Sequence, residues 1–339
     1  MPLTFPDIPA LLAHGHDDVI DVRSPAEFAE DHIPGAMNLP VLDNEERARV
    51  GTIYKQESAF QGRKTGAALV FANAARHIGG PLAGREGGWR PLVYCWRGGQ
   101  RSGSFAWMLS EIGWRAETLK GGYQSWRRMV NAMLHDTPLP HRVILLDGNT
   151  GTAKTDILHR IQNQGGQIID LEGLARHRGS LLGGGSAPQP SQKGFETQLA
   201  VALAKLDPAK PTWVEAESNR IGTILVPPSL WNAMKVAPRV EIDAPMNARV
   251  GYLCDTYSDV LEDGPRLRAL LDHLRPLRGH EVVDAWHQHS TEGDLPALTQ
   301  ALVSQHYDPA YTRARRLAGH DPIETLNLDG LDPACLDRA

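Results

Sequence analysis

The sequence predicts an α/β protein with two parallel-sheet units in tandem. Short apolar runs of strand length alternate with helical stretches, a pattern that gives parallel sheets covered by helices. Two strand–loop–helix segments, one around Cys95 and one around Lys154, place reactive groups at strand ends. Between them, residues 131–141 carry Pro138 and Pro140 and break the chain into two halves. The 339 residues suit two domains of roughly 150 residues each. An apolar content of 41% is ordinary for cores of that size.

The expected boundaries are 1–135 for the first unit and 141–339 for the second. In the first, Asp18-Val19-Ile20-Asp21-Val22 reads as a strand, and residues 25–31 as a short helix with Phe28 pointing inward. Pro91-Leu92-Val93-Tyr94 is a second buried strand. Residues 102–112 form a helix whose Phe105, Met108, Leu109 and Ile112 repeat at helical spacing. Residues 44–90 are an inserted segment. Within it 45–61 is polar and helical, 66–78 is a helix rich in small residues, and 79–88 is a Gly-rich loop.

The second unit opens on the buried strand Val143-Ile144-Leu145-Leu146. Further strands are expected at 167–170, 212–215 and 239–242, separated by helices and followed by C-terminal helices. Gly183-Gly184-Gly185, followed by residues 186–190, reads as a flexible loop.

Of the three cysteines, Cys95 stands in Val93-Tyr94-Cys95-Trp96-Arg97-Gly98-Gly99-Gln100-Arg101-Ser102. A thiol at the carboxyl end of a parallel strand lies where ligands bind in such sheets. Gly98 and Gly99 let backbone N–H groups turn toward the sulfur, and the following helix points its positive end there. Arg97 and Arg101 add charge. Together these favour a thiolate, or an anionic persulfide or perselenide, over a neutral thiol. Cys254 lies in an apolar stretch and reads as core, whereas Cys335 reads as incidental. None of the three sits in a CxxC pair, so no zinc site or disulfide framework is suggested.

Gly148-Asn149-Thr150-Gly151-Thr152-Ala153-Lys154-Thr155 nearly matches the phosphate-cradling pattern G-x-x-x-x-G-K-[ST]. Its N–H groups would hold a diphosphate, Lys154 would neutralise it, and Thr155 could hold Mg²⁺. Ala153 replaces the second glycine, a change that fits if its φ is negative. Asp170, Glu172, Glu215 and Glu217 end neighbouring strands as candidate bases or metal ligands. Arg176 and Arg178 are candidate RNA-backbone contacts, and Arg220 and Arg249 candidate phosphate clamps. No metal site is assigned outright.

A net charge of −5 does not itself point to nucleic acid, but 27 of the 35 basic residues are Arg. They cluster at Arg127 and Arg128, Arg176 and Arg178, and Arg313, Arg315 and Arg316, either as phosphate contacts or as solvated faces. No run approaches the ~20 apolar residues of a membrane helix. The first eighteen residues carry no Lys or Arg and do not read as a secretory signal, so the cytoplasm is expected and the membrane excluded.

The segment Asp21-Val22-Arg23-Ser24-Pro25-Ala26-Glu27-Phe28, with His32-Ile33-Pro34-Gly35-Ala36-Met37-Asn38, resembles the N-terminal signature of the rhodaneses. Leu119-Lys120-Gly121-Gly122-Tyr123 and Trp126 resemble their C-terminal signature, with Cys95 between, where a rhodanese carries its persulfide. A rhodanese-like domain followed by a P-loop NTPase-like domain, with CWRGGQRS, GNTGTAKT and the insertion GTIYKQESAFQGRKTGAALVFANAARHI, is similar to the tRNA 2-selenouridine synthase family over nearly the whole chain. The resemblance implies a transferase acting on 2-thiouridine at the wobble position of the tRNAs for Lys, Glu and Gln. It implies geranylation of the sulfur by geranyl diphosphate, then replacement by selenium from selenophosphate, with Cys95 as perselenide carrier. Selenophosphate synthetase is the implied partner. A C10 chain needs an apolar groove, which residues 66–75 or the tryptophans could supply.

Three other functions fit parts of the pattern. A rhodanese-type sulfurtransferase with a regulatory nucleotide-binding domain would move sulfur from thiosulfate to cyanide and leave tRNA alone. A small-molecule kinase would hydrolyse ATP in response to a metabolite, and a pure tRNA-binding module would need neither loop intact.

Overall fold

The structure, a computed structural model, describes residues 2–180, 183–184, 187–318 and 321–338. The side chains of 314 and 316–318 lie outside that description, and with them the Arg316 of the C-terminal cluster. Gly185 and Ser186 of the expected flexible loop also lie outside the described residues. Two compact units emerge, 1–137 with 190–205, and 138–189 with 206–339.

The first unit holds strands β1 (Asp18–Asp21), β2 (Ala36–Asn38), β3 (Pro91–Tyr94) and β4 (Glu117–Thr118) in the order β2-β1-β3-β4, all parallel. All four residues of β3 are buried, as a strand covered on both faces must be. Helix Gln100–Ile112 buries Phe105, Ala106 and Leu109. Ile112, expected in that face, is instead 51% exposed at the helix's last residue, and Met108 only packs against the rim of the core. Phe28 does not point inward either. It stacks on His32 at 3.8 Å and is half-buried.

The insertion forms helix Asn44–Thr52, a wider-wound turn Ile53–Glu57, and one long helix, Ala59–Gly79. The expected helix over 45–61 therefore ends early. Ser58 breaks it and caps the next helix by accepting from Phe60 N at 3.2 Å. Two glycines of this helix permit close packing: a Cβ on Gly62 would stand 2.7 Å from Tyr54 Cα, and one on Gly66 would stand 3.1 Å from Val50.

The division at 141 would leave 190–205 with the second unit, but helix Gln192–Ala204 packs into the first. Asp31 Oδ2 accepts from Tyr123 Oη at 2.7 Å and from Thr197 Oγ1 at 3.0 Å. Trp126 Nε1 donates to Thr197 Oγ1 at 3.1 Å, and Arg127 pairs with Glu196. Burying these polar groups is tolerable only because each finds a partner.

The second unit's sheet runs β11 (Glu324–Asn327), β10 (Arg239–Asp243), β5 (Arg142–Gly148), β7 (Pro211–Glu215), β6 (Gln167–Ile169), all parallel. A small antiparallel pair, β8 (Arg220–Ile221) and β9 (Ile224–Leu225), stands apart. The phosphate-loop strand β5 is central, so its carboxyl end is flanked by those of β7 and β10. Helices over 246–307 gather their own core around Leu253, Leu267, Leu271, Trp286 and Leu302. Cys254 packs half-buried against that core. Among the described residues no helix is long and apolar enough to cross a membrane.

Candidate active sites

Cys95 follows β3 and is 3% exposed. Its Sγ accepts from Gly99 N at 3.3 Å and from Ser102 Oγ at 3.2 Å. Burial pushes this thiol up, but the Ser102 hydroxyl, the N–H groups of Ser102 and Gly99, and the Arg101 charge outweigh it, leaving the thiol below its usual value. Arg101 also pairs with Glu27 at 3.0 Å, whereas Arg97 stands exposed on the loop.

A second turn closes over this loop. Tyr123 N donates to Cys95 O at 2.8 Å and Gln124 N to Trp96 O at 3.0 Å. Gly122 has φ 55°, and a Cβ there would lie 2.1 Å from Cys95 O. The contact explains why Lys120-Gly121-Gly122 accompanies the cysteine segment. Beneath, the buried Arg23 donates to Asp21 at 2.6 Å and lies 4.0 Å from the centre of the Tyr123 ring, bracing β1 against the turn.

In the second unit the loop after β5 leads into helix Lys154–Asn163. Lys154 Nζ donates to Gly148 O at 2.9 Å and Asn149 O at 3.2 Å, and lies 5.6 Å from the Tyr311 ring centre. Burial alone would lower its pKa, but Tyr311 and the carboxylates of Glu217, Glu215 and Glu172 raise it, so it stays a cation. Ala153 adopts φ 55°, ψ 32°, so the negative φ expected for it is wrong. It occupies the left-handed conformation a glycine would have held, at a cost of roughly 1–2 kcal/mol, and its methyl is buried among Leu146, Ile157 and Leu158.

The four candidate acids divide. Glu172 and Glu217 line a cavity of about 270 Å³ with the phosphate loop, Arg178 and Tyr311. Burial raises both, and Glu172, crowded by Glu215 and Glu217, in its neutral form donates to Glu217. Glu215 accepts from Thr155 Oγ1 at 2.5 Å, and its other oxygen is buried without a hydrogen-bond partner among the described residues. Asp170 is a helix cap, accepting from Gly173 N at 2.7 Å and pairing with His159 at 3.0 Å. Among the described residues no three His, Cys, Asp or Glu are grouped to hold a metal. The hydroxyl–carboxylate pair of Thr155 and Glu215, with its unpartnered oxygen, nevertheless fits a divalent cation.

The arginines divide too. Arg178 borders the cavity, paired with Asp259 at 2.8 Å. Arg249 is 4% exposed and holds the phosphate loop from beneath, donating to Thr150 O at 2.8 and 3.0 Å and pairing with Asp308 at 2.6 Å. A guanidinium so engaged positions the loop rather than clamping a phosphate. Arg176 and Arg220 are exposed.

Residues 141–269 match the family described as tRNA 2-selenouridine synthase AAA domain, and residues 6–129 match the rhodanese-like domain. A Shewanella oneidensis protein named tRNA 2-selenouridine synthase is 35% identical over 355 residues, covering 92% of this chain and 93% of its own. The chain belongs to the tRNA 2-selenouridine synthase family. A Bdellovibrio bacteriovorus member is 36% identical over 342 residues, 86% of this chain and 87% of that one. A Nitrosomonas europaea member is 36% identical over 250 residues, 70% of this chain but only 63% of that relative's length.

For a tRNA 2-selenouridine synthase family member, the sequence signals were strongest at the two loops. Ser102, one helical turn past Gly99, reads from the sequence only as a helix start, although its place beside a strand-end cysteine is the signal for a sulfur donor. Tyr311 lies 157 residues beyond Lys154 in sequence and had no local signal.

Proposed function

We propose that this chain modifies tRNA at the wobble uridine, converting 2-thiouridine to 2-selenouridine through an S-geranyl-2-thiouridine intermediate. Geranyl diphosphate and selenophosphate are the co-substrates. The observation that carries this reading is the set of hydroxyl and amide donors on Cys95 Sγ, in a chain whose second loop holds a half-buried Lys154 cation.

In the first step the thiocarbonyl sulfur attacks the first carbon of geranyl diphosphate. A C–S bond forms, the C–O bond breaks, diphosphate leaves with the electron pair, and the N3 proton of the base passes to solvent. The phosphate-loop N–H groups and Lys154 neutralise that leaving group. A bound Mg²⁺ would supply further neutralisation, held by Thr155 and Glu215. In the second step selenium bonds to C2 of the base while the C–S bond breaks and geranyl thiolate leaves. Cys95 carries the selenium in this reading as a perselenide anion held by Gly99 N and Ser102; loading it from selenophosphate takes a two-electron oxidant and releases phosphate, and a low-molecular-weight thiol then reduces the S–Se bond once selenium is on C2. The tRNAs for Lys, Glu and Gln are the substrates, selenophosphate synthetase is the supplier, and the cytoplasm is the compartment.

Mass spectrometry of nucleosides from thiolated tRNA, incubated with the protein and both co-substrates, tests this directly. Wild type yields 2-selenouridine, Cys95→Ala accumulates the geranylated nucleoside, and Lys154→Ala loses geranylation. Selenouridine made by Cys95→Ala sinks the thiol's role. Thiosulfate-to-cyanide transfer with untouched tRNA favours instead a sulfurtransferase with a regulatory nucleotide-binding domain.

A further inference from the structure

A second cavity, of about 830 Å³, adjoins the phosphate-loop cavity within the second unit, and Gly179, Glu217 and Tyr311 border both. We propose that it receives one nucleotide of the RNA substrate, its base extruded and stacked on Trp231. The inference rests on the reading of tRNA as substrate and adds where the base is held.

Three features select a nucleotide. First, the lining includes two aromatic residues: Trp231, half-buried on helix Pro228–Val236, and Tyr311. Every base has a π-face that such rings accept, and enzymes acting on a base take it out of its stack into a pocket of this kind. Second, the rest of the wall is charged. Arg239 pairs with Asp147 at 3.2 Å, and Arg315 pairs with Glu241 and lies 3.5 Å from Asp147. After these pairings Arg239 Nε and Arg315 Nε and Nη2 have no hydrogen-bond partner among the described residues. These nitrogens are buried rather than open to the cavity, but the Arg239 and Arg315 side chains line it, and guanidinium groups suit the oxygens of a pyrimidine or a phosphate; Ser218 and Asn219 add polar groups to the lining. A hydrocarbon chain there would strip water from these ions and return nothing to them. Third, Tyr311 is the shared wall, and Lys154 lies 5.6 Å from its ring centre. A base lodged against Tyr311 is therefore held beside the phosphate loop.

The test uses the full chain and an anticodon stem–loop RNA carrying 5-iodouridine at the wobble position. Ultraviolet irradiation and peptide mass spectrometry should map the cross-link to Trp231 or Tyr311. Trp231→Ala should weaken RNA binding by on the order of tenfold, the scale of one lost base stack, and lower the cross-link yield. Trp231→Phe, which keeps a ring, should restore most of both and separates stacking from damage to the fold. RNA bound normally but cross-linked elsewhere overturns the proposal. So does a Trp231→Ala protein that binds RNA as wild type does while losing affinity for geranyl S-thiolodiphosphate, which would make the cavity an isoprenoid site. A wild-type chain that binds no stem–loop at all sinks the tRNA reading itself, and this proposal with it.

Discussion

Removing the Ser102 hydroxyl should raise the Cys95 thiol's pKa and cut its thiolate population about tenfold. Ser102 is fully buried, and its Oγ stands 3.2 Å from Cys95 Sγ. A hydrogen bond to a charged acceptor contributes about 1.5–3 kcal/mol, and one pKa unit corresponds to ~1.4 kcal/mol. The lower end applies, because sulfur is a weak acceptor and the same hydroxyl also reaches Gly99 O at 3.2 Å. The sign follows from which form gains. The hydroxyl stabilises the thiolate, so its loss favours the thiol and cuts the thiolate population about tenfold at any pH below both midpoints. The assay is the ultraviolet absorbance of the thiolate against pH, in a chain where Cys254 and Cys335 are serine, differenced against Cys95→Ser. A midpoint that stays put in Ser102→Ala would refute the claim that this donor tunes the sulfur. It would leave the Ser102 and Gly99 amides, the latter at 3.3 Å, and Arg101 to account for the lowered value.

Gly122→Ala should destabilise the first unit by at least ~3 kcal/mol, since it combines a disfavoured φ with a 2.1 Å overlap on Cys95 O. Urea unfolding followed by tryptophan fluorescence measures this, and a midpoint equal to wild type would mean the turn does not clamp the cysteine loop. Glu172→Gln should flatten the pH dependence of the second unit's stability. The Glu172 carboxyl is raised in the folded state to about 9, by burial and then by Glu215 and Glu217. Its contribution is therefore fully present below the ordinary glutamate range and lost as pH rises through the folded value. Urea midpoints taken across that range should fall in wild type and fall less in the variant. Equal slopes would mean the carboxylates are not crowded in solution.

The two reactive loops were legible because each is a contiguous strand–loop–helix, in which neighbours in sequence are neighbours in space. Cys95 with Gly99, and Gly148 with Lys154, needed no long-range knowledge. The central strands were legible too, because strands covered on both faces are continuous apolar runs. The edge strand β11, Glu324–Asn327, was not: only one of its residues is even half-buried, so no apolar run announces it.

Elsewhere the deciding contacts join residues far apart in sequence. Helix Gln192–Ala204 joins the first unit through Asp31, Thr197 and Trp126, a network that no local pattern encodes. Arg249 became a brace because Thr150 O and Asp308 converge on it, and Asp170 became a cap because the chain turns into a helix there. Ala153 keeps a positive φ because the turn into helix Lys154–Asn163 imposes it whichever side chain is present. Composition and spacing alone determined which segments could do chemistry. Tertiary packing decided which charges were free to take part, since a side chain's role depends on the partners the fold brings to it.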